Sequence, residues 1–144
     1  MKYSHKLSDG VHILAYVSIY QDGDLSSAAI ANSIESNPSL VRRLMAALVK
    51  AGLLETHPGV VAPRLARPAA DISLLDVYRA IEGNQRLLHV DDKTNPRCIV
   101  GGNIQDTLNG IYDDVQRQAE STMAGVSLQQ VIDDILVRES ARSR

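Results

Sequence analysis

The stretch from Asn37 to Pro68, NPSLVRRLMAALVKAGLLETHPGVVAPRLARP, writes both ends of a helix and the beginning of a small β unit into one run of residues. Asn37 has the short polar side chain that caps a helix N-terminus, and Pro38 suits the first helical position, where its missing N–H would lack a partner anyway. Gly52 can supply the left-handed residue that closes the helix after Ala51. At about 100° per residue, Val41, Leu44, Met45 and Leu48 share one face, while Ser39, Arg42, Arg43, Ala46 and Lys50 share the opposite one. One face can build a core; the other offers cations and small polar groups. A helix that docks on a small domain and also enters a major groove needs this division, because Arg can donate two hydrogen bonds to guanine there. An ordinary amphipathic helix with a solvated basic face shows the same pattern, so the flanking elements must decide between them.

On the C-terminal side, Leu53 to Thr56 and about Ala62 to Ala66 read as strands around a His57-Pro58-Gly59 turn, with Pro63 restricting the return strand to an edge. On the N-terminal side, Gln21 to Leu25 is a turn, and Ser26 or Ser27 caps a short helix through Ala29, Ile30 and Ile34. Two short helices joined by a few polar residues, the second with a basic face and followed by a two-stranded wing, form a winged helix-turn-helix. Ser8 is placed to cap a helix running to about Tyr20 that is apolar on more than one side, which calls for burial from two directions.

Further along, Ser73 with Asp76 has the spacing of a capping box for a helix that ends before Gly83. Asn84 to Gly102 lacks helical periodicity and contains Asn95-Pro96 and Gly101-Gly102, as a long ordered loop would. A long helix then runs from Asn103 to about Met123, with Ile104, Leu108, Ile111 and Val115 forming a coiled-coil-like seam. Ser127 with Gln130 opens a final helix with Leu128, Val131, Ile132, Ile135 and Leu136 on one face, and the tail from about Glu139 to Arg144 is expected to fray. The fold class is therefore mainly α with a small β wing.

Composition agrees with this reading and excludes several others. Phe and Trp are absent from the 144 residues, so the core must be built from Leu, Ile, Val and Ala, which favours helices. A net charge of −2 argues against a nucleic-acid partner until its distribution is considered. Lys2, Lys6, Arg42, Arg43, Lys50, Arg64 and Arg67 outnumber the acids of residues 1–70, and the acidic excess lies in the second half. A basic head on an acidic body is compatible with placed contacts to DNA. No segment approaches the length of a membrane span, and the apolar run from Val11 to Tyr20 is interrupted by His12 and Ser18, unlike a leader's apolar region. The histidines lack metal-ligand spacing, the paired aspartates fall on different helix faces, and no nucleophile or phosphate-cradling motif is present, so neither a metal site nor an enzymatic activity is expected. Cys98 is the single cysteine, which rules out an intrachain disulfide and fits a reducing cytoplasm.

The chain resembles the Rrf-two family of winged helix-turn-helix transcription regulators nearly end to end. The matching blocks are Ser27-Ala28-Ala29-Ile30-Ala31, Leu48-Val49-Lys50-Ala51-Gly52-Leu53-Leu54, Leu65-Ala66-Arg67-Pro68, Ile72-Ser73-Leu74-Leu75-Asp76-Val77 and Ala80-Ile81-Glu82-Gly83. The resemblance implies a homodimer packed through the long C-terminal helix and bound to a palindromic operator. By that analogy residues 1–83 are the DNA-binding domain, 84–102 a sensor and connecting loop, and 103–144 the dimerisation helices, with Ile104, Leu108, Ile111 and Val115 at the dimer contact. Packing of that seam against the last helix within one chain would leave the same periodicity. Cluster-binding members carry three cysteines before the long helix; here only Cys98 is available, so the chain is similar to the YwnA-type branch without an iron-sulfur cluster. Val61-Ala62-Pro63 replaces the wing's usual glycine pair and tyrosine, so the likeness does not extend to minor-groove insertion.

The expected DNA contacts are Ser39, Arg42 and Arg43 at base edges or phosphates, with Ser26, Lys50 and Arg64 on the backbone and a small Ala46 permitting close approach. The rival reading is a winged-helix module whose basic face meets an acidic protein. Cys98, beside Arg97 and near Lys93, is a candidate redox sensor, and a small free cysteine under a loop is the structural alternative. A small-molecule effector near that loop is the other route to regulation.

Overall fold

The computed structural model describes residues 4–57 and 60–143, with no side-chain description at His57, Val60 and Val61. Among the described residues the order is α1 (Lys6–Ile19), α2 (Ser27–Ile34), α3 (Pro38–Lys50), β1 (Leu54–His57), β2 (Val60–Leu65), a 3-10 turn (Ala69–Asp71), α4 (Leu74–Glu82), α5 (Ile104–Ala124) and α6 (Leu128–Arg142). The mainly helical fold with one small antiparallel hairpin is the architecture expected from the sequence.

Helix α1 is the hub. Ile13, Leu14 and Val17 are fully or almost fully buried and Ala15 nearly so, and three consecutive buried positions mean the helix is covered from several sides. α2, α3 and β2 pack against it, and so do α4 and α6. Its approach to α4 is close enough that a Cβ on Gly10 would lie 2.8 Å from Ile81 Cγ1, so this crossing requires the glycine. The helix starts at Lys6 rather than after Ser8, which sits inside the first turn; His5 occupies the cap position without a side-chain bond, and Ser4 Oγ accepts from Lys6 N–H. Packing of the apolar face against the rest of the head carries the helix past the local capping signal.

The other start signals act as their spacing predicts. Ser26, not Ser27, caps α2, its hydroxyl accepting from Ala29 N–H at 3.1 Å. Asn37 caps α3 through Leu40 N–H at 2.9 Å, and Gly52 follows its end with φ +77°. Ser73 with Asp76 and Ser127 with Gln130 each form a complete reciprocal capping box. These two boxes lie back to back: Leu74 N–H donates to Val126 O and Leu128 N–H to Ile72 O, an antiparallel bridge that fixes the start of α6 beside the start of α4. Leu128 and Ile132 thereby enter the same buried cluster as α1. Beyond them α6 stays helical to Arg142, where fraying from Glu139 was expected; ion pairs Arg138 to Asp134 and Arg142 to Glu139 line that segment.

The hairpin begins one residue later than expected in β1 and two earlier in β2, pairing Leu54 with Leu65 and Glu55 with Arg64, with an irregularity between Glu55 and His57. Backbone pairing sets these limits, and it tolerates Pro63 because a two-stranded sheet is all edge. Pro58 and Gly59 of the expected turn lie outside the described residues. Among the described residues no helix is long and apolar enough to cross a membrane.

Replacing Ser73 or Ser127 by Ala should each lower unfolding free energy by about 1 kcal/mol. The double variant should lose less than the sum, because the two caps share one bridge and its contribution can be lost only once. Chemical denaturation of the four proteins checks this; strict additivity would mean that the bridge does not couple them.

Candidate nucleic-acid interface

The core side of α3 uses Val41, Leu44 and Leu48, all buried, with Met45 packed at their edge. That commitment turns Ser39, Arg42, Arg43, Ala46 and Lys50 to solvent, and all five are exposed. Arg42 Nη2 donates to Ser39 Oγ at 3.4 Å, a long bond that lightly tethers one guanidinium along the helix. Among the described residues Arg42, Arg43 and Lys50 form no ion pair, whereas Arg64, Arg67, Arg79, Arg86, Arg117, Arg138 and Arg142 all do. Three unneutralised cations therefore gather on one helix face. Ser27 and Thr56 flank the C-terminal half of this face, from the start of α2 and from β1.

The two remaining expected contacts are placed differently. Ser26 is exposed at the start of α2, where helix N–H groups favour an anion, but Asp24 Oδ1 already accepts from Ser26 N–H at 3.0 Å. The backbone and then the hydroxyl of Ser26 hold the Asp24 carboxyl below its ordinary range, so a carboxylate stands beside the position assigned to a phosphate contact. Arg64 is tied across the hairpin to Glu55, Nε to Oε2 at 2.9 Å. Arg64 is largely exposed and Glu55 half-buried, so solvent screens the pair, it contributes little stability, and a phosphate could compete for the arginine.

The long loop folds back on itself before α5. Thr94 Oγ1 donates to Gly101 O at 2.6 Å, Arg97 N–H to Asn95 Oδ1 and Gly102 N–H to Cys98 O. A Cβ on Gly101 would overlap the Asn95 carbonyl oxygen, which is why this return needs glycine. The Cys98 thiol is exposed. Its pKa is lowered by the backbone N–H groups of Gly101 and then Val100, not by the neighbouring Arg97 and Lys93 that the sequence pointed to.

Helix α5 is anchored by polar groups. Its single buried residue is Gln116, whose Oε1 accepts from Leu87 N–H at 3.0 Å while its amide donates to Tyr78 Oη and Glu120 Oε2. Gln116 and then Arg79 hold the Glu120 carboxyl below its usual range, and Arg79 also pairs with it at 3.1 Å. Sequence reading missed this network, since nothing local marks one Gln among the polar residues of α5. On the opposite side Ile111 is 52% and Val115 43% exposed, while Ile104 and Leu108 are half-buried. α6 packs on α1 and the 3-10 turn rather than along this seam.

Comparison with known proteins agrees with this geometry. Residues 3–134 match the family model Rrf2, described as iron-dependent transcriptional regulators. The donor set does not fit the iron of that description: Cys98 is the chain's one cysteine, and among the described residues no group of three or more His, Cys, Asp or Glu side chains is arranged to hold a metal ion. The chain is 39% identical over 130 residues to YwnA of Bacillus subtilis, named as an HTH-type transcriptional regulator, covering 90% of this chain and 96% of that one. A solved structure described as a DNA-binding protein superposes with a TM-score of 0.72 at 38% identity, over 88% of this chain and 98% of the other. The IscR structure from T. potens shares the fold, with a TM-score of 0.67 at 23% identity over 94% and 88% of the two chains. With a family match over nearly its whole length and a winged helix-turn-helix that turns unpaired cations outward, the chain belongs to the Rrf2 family and is a DNA-binding transcriptional regulator, not an enzyme.

Proposed function

We propose that this regulator acts as a homodimeric repressor on a palindromic operator, and that the loop over residues 84–102 carries its signal. In this reading residues 1–83 are the DNA-binding head and 103–144 the dimerisation helices. The observation that supports it most is the outward face of α3, where Arg42, Arg43 and Lys50 are exposed and form no ion pair among the described residues. Arg42 and Arg43 read base edges or phosphates, Ser39 assists, and Lys50, Ser26 and Arg64 hold the backbone, Arg64 by exchanging Glu55 for a phosphate.

Dimerisation is supported by α5. A helix of 21 residues, about 30 Å long, that buries only Gln116 within its own chain leaves Ile111 and Val115 without cover. Two copies packed along that seam are related by a twofold axis, and two identical heads call for an inverted-repeat operator.

Regulation through Cys98 is supported by the exposed thiol and the amides that favour its thiolate. A peroxide would convert the thiolate to a sulfenic acid, releasing hydroxide from the peroxide, and the enlarged polar group would disturb the tight Asn95 to Gly101 return. A small-molecule effector is the second reading, favoured by a groove of about 420 Å³ between this loop and α5 that includes His89 and Tyr112 in its lining.

Truncating Arg42 and Arg43 to Ala should cost about 1 to 3 kcal/mol for each lost bidentate base contact, or flatten the salt slope by about one unit for each lost phosphate contact. Titration of the operator across a salt series reads both, and an unchanged affinity and slope would reject the assignment. Asp at both Ile111 and Val115 should give a monomer by analytical ultracentrifugation with operator affinity lowered on the order of 100-fold; a persistent dimer would place the interface elsewhere. Hydrogen peroxide should release the operator from the native protein and leave Cys98→Ser bound, while equal responses would transfer regulation to the effector groove.

A further inference from the structure

The outward face of α3 has no amide side chain for bidentate pairing with adenine and no carboxylate for cytosine, leaving Ser39 as its one uncharged hydrogen-bonding side chain. Pro38 to Lys50 contains no Asp, Glu, Asn or Gln, and the amide oxygen of Asn37 is engaged by Leu40 N–H. In the major groove adenine is read bidentately by Asn or Gln and cytosine by a carboxylate, so neither base meets its strongest partner on this helix. What the face does offer, besides its cations and Ser39, is an apolar step. Met45, Ala46 and Val49 lie in a shallow hollow of about 430 Å³ whose lining includes Arg42 and Lys50. Val49 is 36% exposed and stands outside the buried cluster, although its helix already has a full core face in Val41, Leu44 and Leu48.

We propose that this hollow receives the C5 methyl group of a thymine, so that each operator half-site places a thymine next to a guanine contacted by Arg42. The inference rests on the reading of α3 as the helix that enters the major groove. The thymine methyl is the one apolar group that a base pair displays there. Ala46 and Val49 supply the surface that takes it out of water, and the cations on either side draw in the phosphates that bring the base edge to the hollow. Specificity then comes mainly from two kinds of base edge, guanine through hydrogen bonds and thymine through contact.

The test uses the full-length protein and a random-sequence duplex library. The selected duplex is resynthesised with each thymine replaced in turn by deoxyuridine, which removes the methyl and keeps every hydrogen-bonding group. At one thymine per half-site affinity should fall about fourfold, the effect expected for burying one methyl group. In Val49→Thr, which keeps the side chain's shape and makes one branch polar, the same replacement should change affinity by less than about twofold. An enriched duplex that binds equally well with deoxyuridine at every position overturns the methyl contact and leaves the recognition-helix reading standing. A deoxyuridine effect that persists undiminished in Val49→Thr overturns its assignment to this hollow. A library that yields no enriched sequence overturns both readings.

Discussion

Burial of α1 from several directions is the constraint on which the rest of the molecule depends. Ile13, Leu14, Ala15 and Val17 are all buried in the middle of that helix, and each large aliphatic side chain taken fully out of water contributes about 1.5 to 3 kcal/mol. α2, α3 and β2 cover one part of it, and α4 and α6 another, the α4 crossing depending on Gly10. Once α3 has given Val41, Leu44 and Leu48 to this core, its rotation about its own axis is settled. What α3 can present to DNA follows from that rotation.

Electrostatics sharpens what packing has oriented. Most arginines outside α3 are joined to acids, mostly by exposed pairs that add little to stability but neutralise the surface around them. Arg42, Arg43 and Lys50 stand apart from these pairs, so a chain of net charge −2 still carries a concentrated positive patch. Local distribution, not total charge, decides affinity for a polyanion.

The connection between the head and α5 has a different character. Gln116 bridges Tyr78, Glu120 and Leu87 N–H, and this small hydrogen-bonded knot takes the place of a broad apolar contact. Such a joint is directional and sensitive to small displacements, because a buried amide that loses its partners is costly. Leu87, which it holds, stands near the start of the loop that carries Cys98.

The sequence by itself determined the helix starts at Asn37, Ser73 and Ser127, narrowed that of α2 to Ser26 or Ser27, and determined the glycine stops at Gly52 and Gly83 and the division of α3 into an apolar and a cationic face. These are governed by interactions within three or four residues or by a fixed helical period, so composition along the chain is enough to specify them. Tertiary structure alone decided that α1 begins before Ser8, that the hairpin ends where it pairs, and that Arg64 is held by Glu55. It also decided that Gln116 is buried, that the amides of Val100 and Gly101 act on Cys98, and that α6 returns to α1 and leaves the α5 seam open. Gln116 and α6 meet partners from distant parts of the chain, while the Arg64 pair and the amides around Cys98 depend on how a hairpin or a loop folds back, and a linear pattern contains no record of which polar group will meet which.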